Sequence, residues 1–244
     1  MPTFTVDDDN PGTDEADWLS SPRLASIPPL VLPKGRESLV VAPHPDDEVL
    51  GAGGLLQTLG RRAEIEVWAV TDGERSDVGV PAEDLRRIRT EESLTALSRL
   101  GLSAAPRMRL SLPDGSVADH EAELTDRLAG RLSPDSVCFA PWEGDGHPDH
   151  DACGRAARTA ASTTGASLVR YLVWAWHWAA PESGEVPWSR CRRWRLSERH
   201  TRHKTSAIEA FASQIEAFGG SSCRPVLPPT VVERFRRPFE VFVI

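Results

Sequence analysis

The sequence has few cysteines, no excess of basic residues and no long apolar run. Its four cysteines form no CxxC pair, which excludes a cysteine-based zinc knot or a disulfide framework and predicts reduced thiols in the cytoplasm. Lys and Arg number 28 against 36 Asp and Glu, and this net charge of -8 argues against a nucleic acid or an anionic membrane as partner. No apolar segment approaches the roughly 20 residues of a membrane-spanning helix, and no basic and apolar start predicts a secretory signal.

Two regions of different composition divide the 244 residues. Residues 1–36 are polar, acidic and dotted with proline, and we expect a flexible arm that lies on the domain, with a short ordered piece near Trp18. Residues 37–244 show strand and helix patterns without a linker, which predicts a single globular domain. The sequence does not specify the oligomeric state, and a homo-oligomer is compatible with it.

Short apolar runs alternate with helical patterns from residue 38 onward. Five runs are typical of buried parallel strands, and they cover residues 38–43, 65–70, 107–112, 136–141 and 168–176. Helical patterns lie between them, near residues 48–62, 81–100, 119–132 and from 148 or 149 onward. This alternation predicts an α/β fold that is Rossmann-like and doubly wound, with a mostly parallel sheet and helices on both faces. In a strand order 3-2-1-4-5, the loops after strands one and four meet where such sheets bind ligands.

Metal-binding residue types cluster in those two loops. The first contains HPDDE at residues 44–48, and the second contains HPDH at residues 147–150. A catalytic zinc ion takes three nitrogen or oxygen ligands from the protein and leaves one position open for water. Three side chains would supply that set: His44, Asp47 and His150. Each motif alone reads equally well as a capped turn or a helix start, but their coincidence at one edge of the sheet predicts a metal site with Asp46 beside the water.

The two motifs together resemble those of the PIG-L, or LmbE-like, N-deacetylases. The likeness covers about residues 38–220 and includes weaker agreements, which are TDGE at 71–74, an R-x-x-E pair at Arg89 and Glu92, LPDG at 112–115 and Ser-Gln at 213–214. The resemblance implies a zinc-dependent hydrolase, with iron(II) as the alternative ion. Its substrate would be a small N-acylated, most commonly N-acetylated, amino sugar or glycosylated molecule, cleaved to acetate and a free amine.

The family pattern also implies roles for individual residues. The residues that resemble its zinc ligands are His44, Asp47 and His150. Asp46 resembles the general base, and His147 resembles the group that stabilises the oxyanion or protonates the leaving amine. Arg89 and Asp114 resemble residues that hold substrate hydroxyls in related sugar deacetylases. Asp145 stands where some members have a tyrosine that supports the oxyanion, and we group it with the substrate-binding residues.

Two other functions stay open on the sequence. An amidase for a larger acyl group or a thiol-sugar conjugate would use the same chemistry, because only the pocket rim would differ. A non-catalytic carbohydrate-binding module is the third interpretation, although such a module needs no base like Asp46 beside a metal. Trp174, Trp176 and Trp178 would share one face of a continuing strand, where they would stack on a sugar or pack against a helix or another subunit.

Overall fold

Seven strands form one sheet within the residues that the computed structural model describes, which are 11–35, 37–60, 64–76, 79–218 and 224–244. The strands are β1 (Glu37–Ala42), β2 (Glu64–Ala69), β3 (Arg107–Arg109), β4 (Ser136–Pro141), β5 (Ser167–Tyr171), β6 (Cys191–Arg195) and β7 (Phe239–Val243). Their order is β3-β2-β1-β4-β5-β7-β6. The first five pair in parallel, and β7 runs antiparallel to both β5 and β6. The predicted order 3-2-1-4-5 is confirmed, and two antiparallel strands extend it.

Helices cover both faces of this sheet. The α-helices are α1 (Glu15–Ser20), α2 (Pro22–Ala25), α3 (Asp47–Leu59), α4 (Ala82–Arg99), α5 (Glu121–Arg131), α6 (Pro148–Thr164), α7 (Ala175–Trp178), α8 (Glu198–Ile208), α9 (Ala212–Ile215) and α10 (Pro229–Val232). Short 3₁₀ turns span Val117–His120, Trp188–Arg190 and Glu233–Arg236. Among the described residues, no helix combines the length and the apolar character that crossing a membrane requires.

The central strands contain continuous apolar runs, as is typical of strands that are buried on both faces of a sheet. Successive side chains alternate between two cores, so that Val40 and Phe139 join the core under α3, α4 and α8. Leu39, Val41 and Cys138 join the core under α5 and α6. The helices on both faces therefore explain why the sequence shows continuous runs here and no polar alternation.

Two glycines allow α3 to lie close to its neighbours. A Cβ atom on Gly51 would stand 2.2 Å from the Tyr171 ring, and one on Gly54 would stand 2.3 Å from the Leu196 side chain. Tyr171 in turn donates its hydroxyl to the carbonyl of Val41 at 2.7 Å. These contacts fix the start of α3 relative to β1, and the loop between them carries the first predicted metal motif.

The strand predicted over residues 168–176 is shorter than expected. β5 ends at Tyr171, and residues 175–178 form the short helix α7. The Asp145 carboxylate accepts the backbone N–H groups of Val173–Ala175 at 2.9–3.0 Å, and these bonds begin a helix where a strand would otherwise continue. The prediction that three tryptophans share one strand face is therefore wrong.

The described part of the N-terminal region, residues 11–35, packs on the domain, whereas the sequence suggests a flexible arm. Trp18 has 0% exposure, and its ring lies edge-on to Trp176 with centroids 5.0 Å apart. Glu15 is also buried, in a bidentate ion pair with Arg237. The ordered piece expected near Trp18 is thus present. The burial of the Trp18 ring and the ion pair of Glu15 stabilise it on the domain although the segment is acidic. The domain boundary at residue 37 stays a prediction.

Candidate metal centre

The loops after β1 and β4 meet at the carboxyl edge of the sheet, as the sequence predicts. His44 Nδ1 lies 3.3 Å from both His150 Nε2 and Asp47 Oδ2, and the latter two atoms are 3.1 Å apart. Ligand atoms placed ~2.0–2.2 Å from a tetrahedral zinc ion are separated by roughly 3.3–3.6 Å. The three donor atoms, two nitrogens and one carboxylate oxygen, therefore fit the predicted ion in both spacing and chemistry.

Two carboxylates outside this triangle orient its imidazoles. Asp149 Oδ2 lies 3.2 Å from His44 Nε2, and Asp145 Oδ2 lies 2.8 Å from His150 Nδ1. Metal-binding histidines commonly donate their second N–H to such a carboxylate, which fixes the tautomer and the ring orientation. His44 would thus present Nδ1, and His150 would present Nε2, to a metal. The HPDH motif contains Asp149, but the sequence alone does not reveal this supporting role.

The structure corrects the grouping of Asp145 with the substrate-binding residues. Its side chain has 0% exposure, and it is absent from the wall of the cavity described below. One oxygen accepts from the N–H groups of Val173 and Ala175, and the other accepts from that of Trp174 and faces His150. Asp145 therefore links His150, a predicted metal ligand, to the start of α7 and leaves no oxygen for a sugar.

Asp46, the predicted base, has an unusual backbone conformation. Its φ of 144° and ψ of -30° lie where residues with a side chain are rare, at a cost of about 1–3 kcal/mol. Its carbonyl accepts the N–H groups of Val49 and Leu50 at the start of α3, while its side chain lines the cavity. Burial, together with the negative charge of Asp47, raises the pKa of Asp46 well above its ordinary value.

The pKa values of two neighbouring histidines, His150 and His147, are shifted in opposite directions. Burial lowers the pKa of His150, but the charges of Asp47 and Asp145 outweigh it and raise the value to about 9. For His147, burial and then the positive charges of His44 and His150 lower the pKa to about 3. His147 is therefore neutral in this arrangement. Its Nδ1 accepts the N–H of Asp149 at 3.2 Å, so the ring proton resides on Nε2.

A cavity of about 340 Å³ opens beside the triangle of donor atoms. Its reacting end is lined by His44, Asp46, Asp47 and His147. Polar side chains form one wall, namely Arg75, Arg89 and Asp114. Apolar side chains form other parts of the lining, namely Leu50, Val173, Trp174, Val226 and Leu227. This volume is in the range of small-molecule sites, and the mixed lining suits a molecule with both hydroxyl groups and apolar faces.

Arg89 and Asp114, the predicted substrate-binding residues, both line this cavity. Arg89 is 2% exposed and donates Nη1 to the carbonyl of Gly73 at 2.6 Å, whereas its buried Nε and Nη2 have no partner within the described residues. Asp114 accepts the backbone N–H of Arg75 at 2.9 Å and lies 3.3 Å from His44 Nε2. Burial alone would raise the pKa of Asp114, but the hydrogen bond and charge of His44 lower it to about 2. Both groups thus face the cavity in charged form.

Three weaker parts of the motif pattern support the loop that carries the first metal motif. Glu92 accepts the backbone N–H and the hydroxyl of Ser213, both at 2.7 Å, which fastens α9 to α4. The next residue, Gln214, donates its side-chain amide to the carbonyl of Pro45. Thr71 Oγ1 donates to the carbonyl of Pro43 at 2.8 Å. The sequence contains these residues as separate motifs, and the structure joins them around residues 43–46.

Comparison with known proteins agrees with this geometry. The model of the family described as PIG-L, GlcNAc-PI de-N-acetylase, matches residues 39–161. A probable N-acetyl-alpha-D-glucosaminyl L-malate deacetylase 2 of Bacillus subtilis is 34% identical over 128 residues, which are 48% of this chain and 57% of that protein. A 1D-myo-inositol 2-acetamido-2-deoxy-alpha-D-glucopyranoside deacetylase of Corynebacterium diphtheriae is 30% identical over 171 residues, 57% of each chain.

A solved structure extends the agreement in fold. The A40926 pseudoaglycone deacetylase superposes with a TM-score of 0.62 at 20% identity, over 86% of this chain and 97% of that one. The chain spans a little more than half the length of the two curated relatives above. Because the family model matches half of the sequence, including both metal motifs, the protein belongs to the PIG-L family.

Proposed function

We propose that the protein is a zinc-dependent hydrolase that removes the N-acetyl group of an amino sugar or a glycosylated small molecule, giving acetate and a free amine. The observation that carries the proposal is the triangle of His44 Nδ1, Asp47 Oδ2 and His150 Nε2, with the strained Asp46 beside it in a cavity. The relatives named as deacetylases of glucosaminyl L-malate and of an inositol glycoside support a substrate of this class.

Zinc would supply Lewis-acid chemistry, which activates a water molecule and polarises the amide carbonyl. Asp46 takes the proton of that water as its oxygen adds to the carbonyl carbon. His147 donates Nε2–H to the oxygen on which negative charge develops, because its Nδ1 accepts the Asp149 N–H. The carbon–nitrogen bond then breaks, and Asp46 returns the proton to the nitrogen, so that acetate and amine leave.

The cavity walls suit the sugar that carries the amide. The unpartnered nitrogens of Arg89 and the carboxylate of Asp114 would bind ring hydroxyls as donor and acceptor. Trp174, on the apolar wall, would cover a face of the ring. A larger acyl group or a thiol-sugar conjugate is the alternative substrate, since the cavity is open to solvent beyond these residues.

The identity of the ion and the cellular location are parts of the same proposal. The donor set of two imidazoles and one carboxylate also accepts iron(II), so loading with each ion is part of the test. We place the protein in the cytoplasm, which the three free and buried thiols of Cys138, Cys153 and Cys191 support. Cys223 lies outside the described residues.

The test is release of free amine from N-acetylglucosamine glycosides by the zinc-loaded protein. The Asp46→Asn variant should keep its zinc and lose roughly 100-fold or more in turnover, as expected for loss of a general base. The matched control is Asp119→Asn, which changes an exposed carboxylate and should behave as the native protein. Unchanged turnover in the Asp46 variant would remove it as the base.

The remaining outcomes separate the alternatives. Chelation should abolish amine release, and added zinc should restore it. Native protein that binds zinc and a sugar but releases no amine from any N-acyl glycoside would be a binding module, and the proposed hydrolase would then be wrong. A preference for long-chain over acetyl substrates would identify the amidase.

A further inference from the structure

Helix α7 connects the cavity to the N-terminal region. At its start, Asp145 accepts the N–H groups of Val173–Ala175, and the same carboxylate lies 2.8 Å from His150 Nδ1. At its last residue, Trp178 Nε1 donates to the carbonyl of Asp145 at 2.6 Å. Trp174, which immediately precedes α7, lines the cavity. A displacement of α7 would therefore move both the cavity wall and the carboxylate that orients His150.

The carbonyl end of α7 is held by the N-terminal region. A four-residue helix leaves its last carbonyls without partners inside the helix. Here the carbonyl of Trp176 accepts from Trp18 Nε1 at 2.9 Å, and that of His177 accepts from the Thr13 N–H at 2.8 Å. The carbonyl of Ala179 accepts from Thr13 Oγ1 at 2.6 Å. Two side chains and one backbone group of the first twenty residues thus complete this helix.

Buried charges fasten the N-terminal region in turn. Arg237 binds Glu15 through two hydrogen bonds, and its guanidinium lies 4.4 Å from the Trp176 ring. Arg234 donates to the carbonyls of Pro11 and Thr13 at 3.0 and 2.8 Å. Breaking a buried pair leaves an uncompensated charge, which is strongly unfavourable. The contacts to α7 therefore come from a segment with a fixed position on the domain.

We propose that residues 11–18 are a positioning element of the active site. They hold α7 from its carbonyl end while Asp145 holds it from its amino end, and this sets the place of Trp174 and the orientation of His150. The segment touches neither substrate nor metal and acts through α7. The part of the inference that concerns substrate rests on the proposed function, whereas the part that concerns metal affinity does not.

Two substitutions far from the cavity test the inference. Thr13→Val removes the hydroxyl donor to Ala179 and keeps the side-chain shape, and Trp18→Phe removes the donor to Trp176 and keeps an aromatic ring. The matched control is Thr95→Val, because Thr95 makes the same kind of bond, to the Glu91 carbonyl at 2.9 Å, on the exposed side of α4. The zinc dissociation constant is measured by competition with a chromophoric chelator, and KM and kcat are measured with an N-acetylglucosamine glycoside.

We expect Thr13→Val and Trp18→Phe each to raise the zinc dissociation constant and KM about two- to tenfold, the range of one net hydrogen bond. Thr95→Val should leave both within twofold. Variants that lower only the melting temperature, with zinc affinity and KM unchanged, would show that the segment merely stabilises the fold and would overturn the inference. If the native protein releases no amine, the proposed function fails, while the zinc measurements still decide this inference.

Discussion

The strained backbone of Asp46 leads to a prediction in which glycine stabilises the protein more than alanine does. At φ 144° and ψ -30°, Asp46 adopts a conformation that glycine reaches without steric cost. Both Asp46→Gly and Asp46→Ala remove the carboxylate that we propose as the base, so both should lack activity. They differ in the Cβ atom, which only the alanine variant retains. The difference between them therefore isolates the backbone strain.

The expected difference in unfolding free energy between the two variants follows from two opposing contributions. Release of the strain stabilises the glycine variant by about 1–3 kcal/mol. The greater freedom of glycine in the unfolded chain costs about 0.5–1 kcal/mol. The net expectation is that Asp46→Gly exceeds Asp46→Ala in unfolding free energy by roughly 1 kcal/mol. At the exposed helical position Asp126, in α5, no strain exists, and the glycine variant should be less stable than the alanine variant by about 1 kcal/mol.

The assay is urea unfolding of the four variants in the presence of a chelator, because bound metal would add its own stabilisation. The unfolding free energy of the glycine variant minus that of the alanine variant should be positive at position 46 and negative at position 126. The two differences should lie about 2 kcal/mol apart. A glycine variant at position 46 that is less stable than the alanine variant, as at position 126, would refute the reasoning. The conformation of Asp46 would then cost nothing, and its place beside the metal would need another explanation.

Two further predictions concern the support of the site. Asp145→Asn keeps the shape of the side chain but sets an amide N–H against backbone or His150 donors, and we expect zinc affinity to fall 10- to 100-fold in chelator competition. The control is Asp72→Asn, since Asp72 is also a buried carboxylate but pairs with Arg109. This variant should bind zinc with the affinity of the native protein. Gly51→Ala should lower the unfolding free energy by about 1–3 kcal/mol, because its Cβ would stand 2.2 Å from the Tyr171 ring. Gly130→Ala, whose new Cβ would meet no described atom within 4 Å beyond its chain neighbours and its own helix backbone, should raise it by up to about 1 kcal/mol in the same urea titration.

The parallel part of the fold could be predicted because a strand that is buried on both faces has a continuous run of apolar residues in its sequence. The predicted bounds of β1, β2 and β4 agree with the structure within one residue. The antiparallel edge could not be predicted in this way. β6 reads Cys191-Arg192-Arg193-Trp194-Arg195, and its arginines resemble a solvated face. It is a strand because it pairs with β7 on one side and meets Pro29 on the other, and both contacts are distant in sequence.

The triangle of donor atoms was predictable for a similar reason, since each motif is local and the strand order brings the two loops together. The roles of the supporting groups were not predictable. Asp145 bonds backbone groups 28–30 residues away, and Glu15 pairs with a residue 222 positions away. Those bonds involve residue types that are common throughout the sequence, and their partners are not separated by any characteristic spacing that a motif could reveal. A pattern can thus identify the atoms that we propose as metal ligands but not the groups that hold them in place.

The position of Asp145 also bears on how such a site can change its substrate. The residues that we propose as metal ligands and catalytic groups all lie within 39–161, whereas the cavity wall formed by Val173, Trp174 and Leu227 lies beyond that range. Asp145 ties the two parts together, yet it binds only backbone N–H groups of the wall. Side chains at 173 and 174 can therefore vary in size and polarity while the bonds that orient His150 persist. A proline at 173, 174 or 175 would remove one of these N–H groups, and it would alter the metal centre together with the pocket.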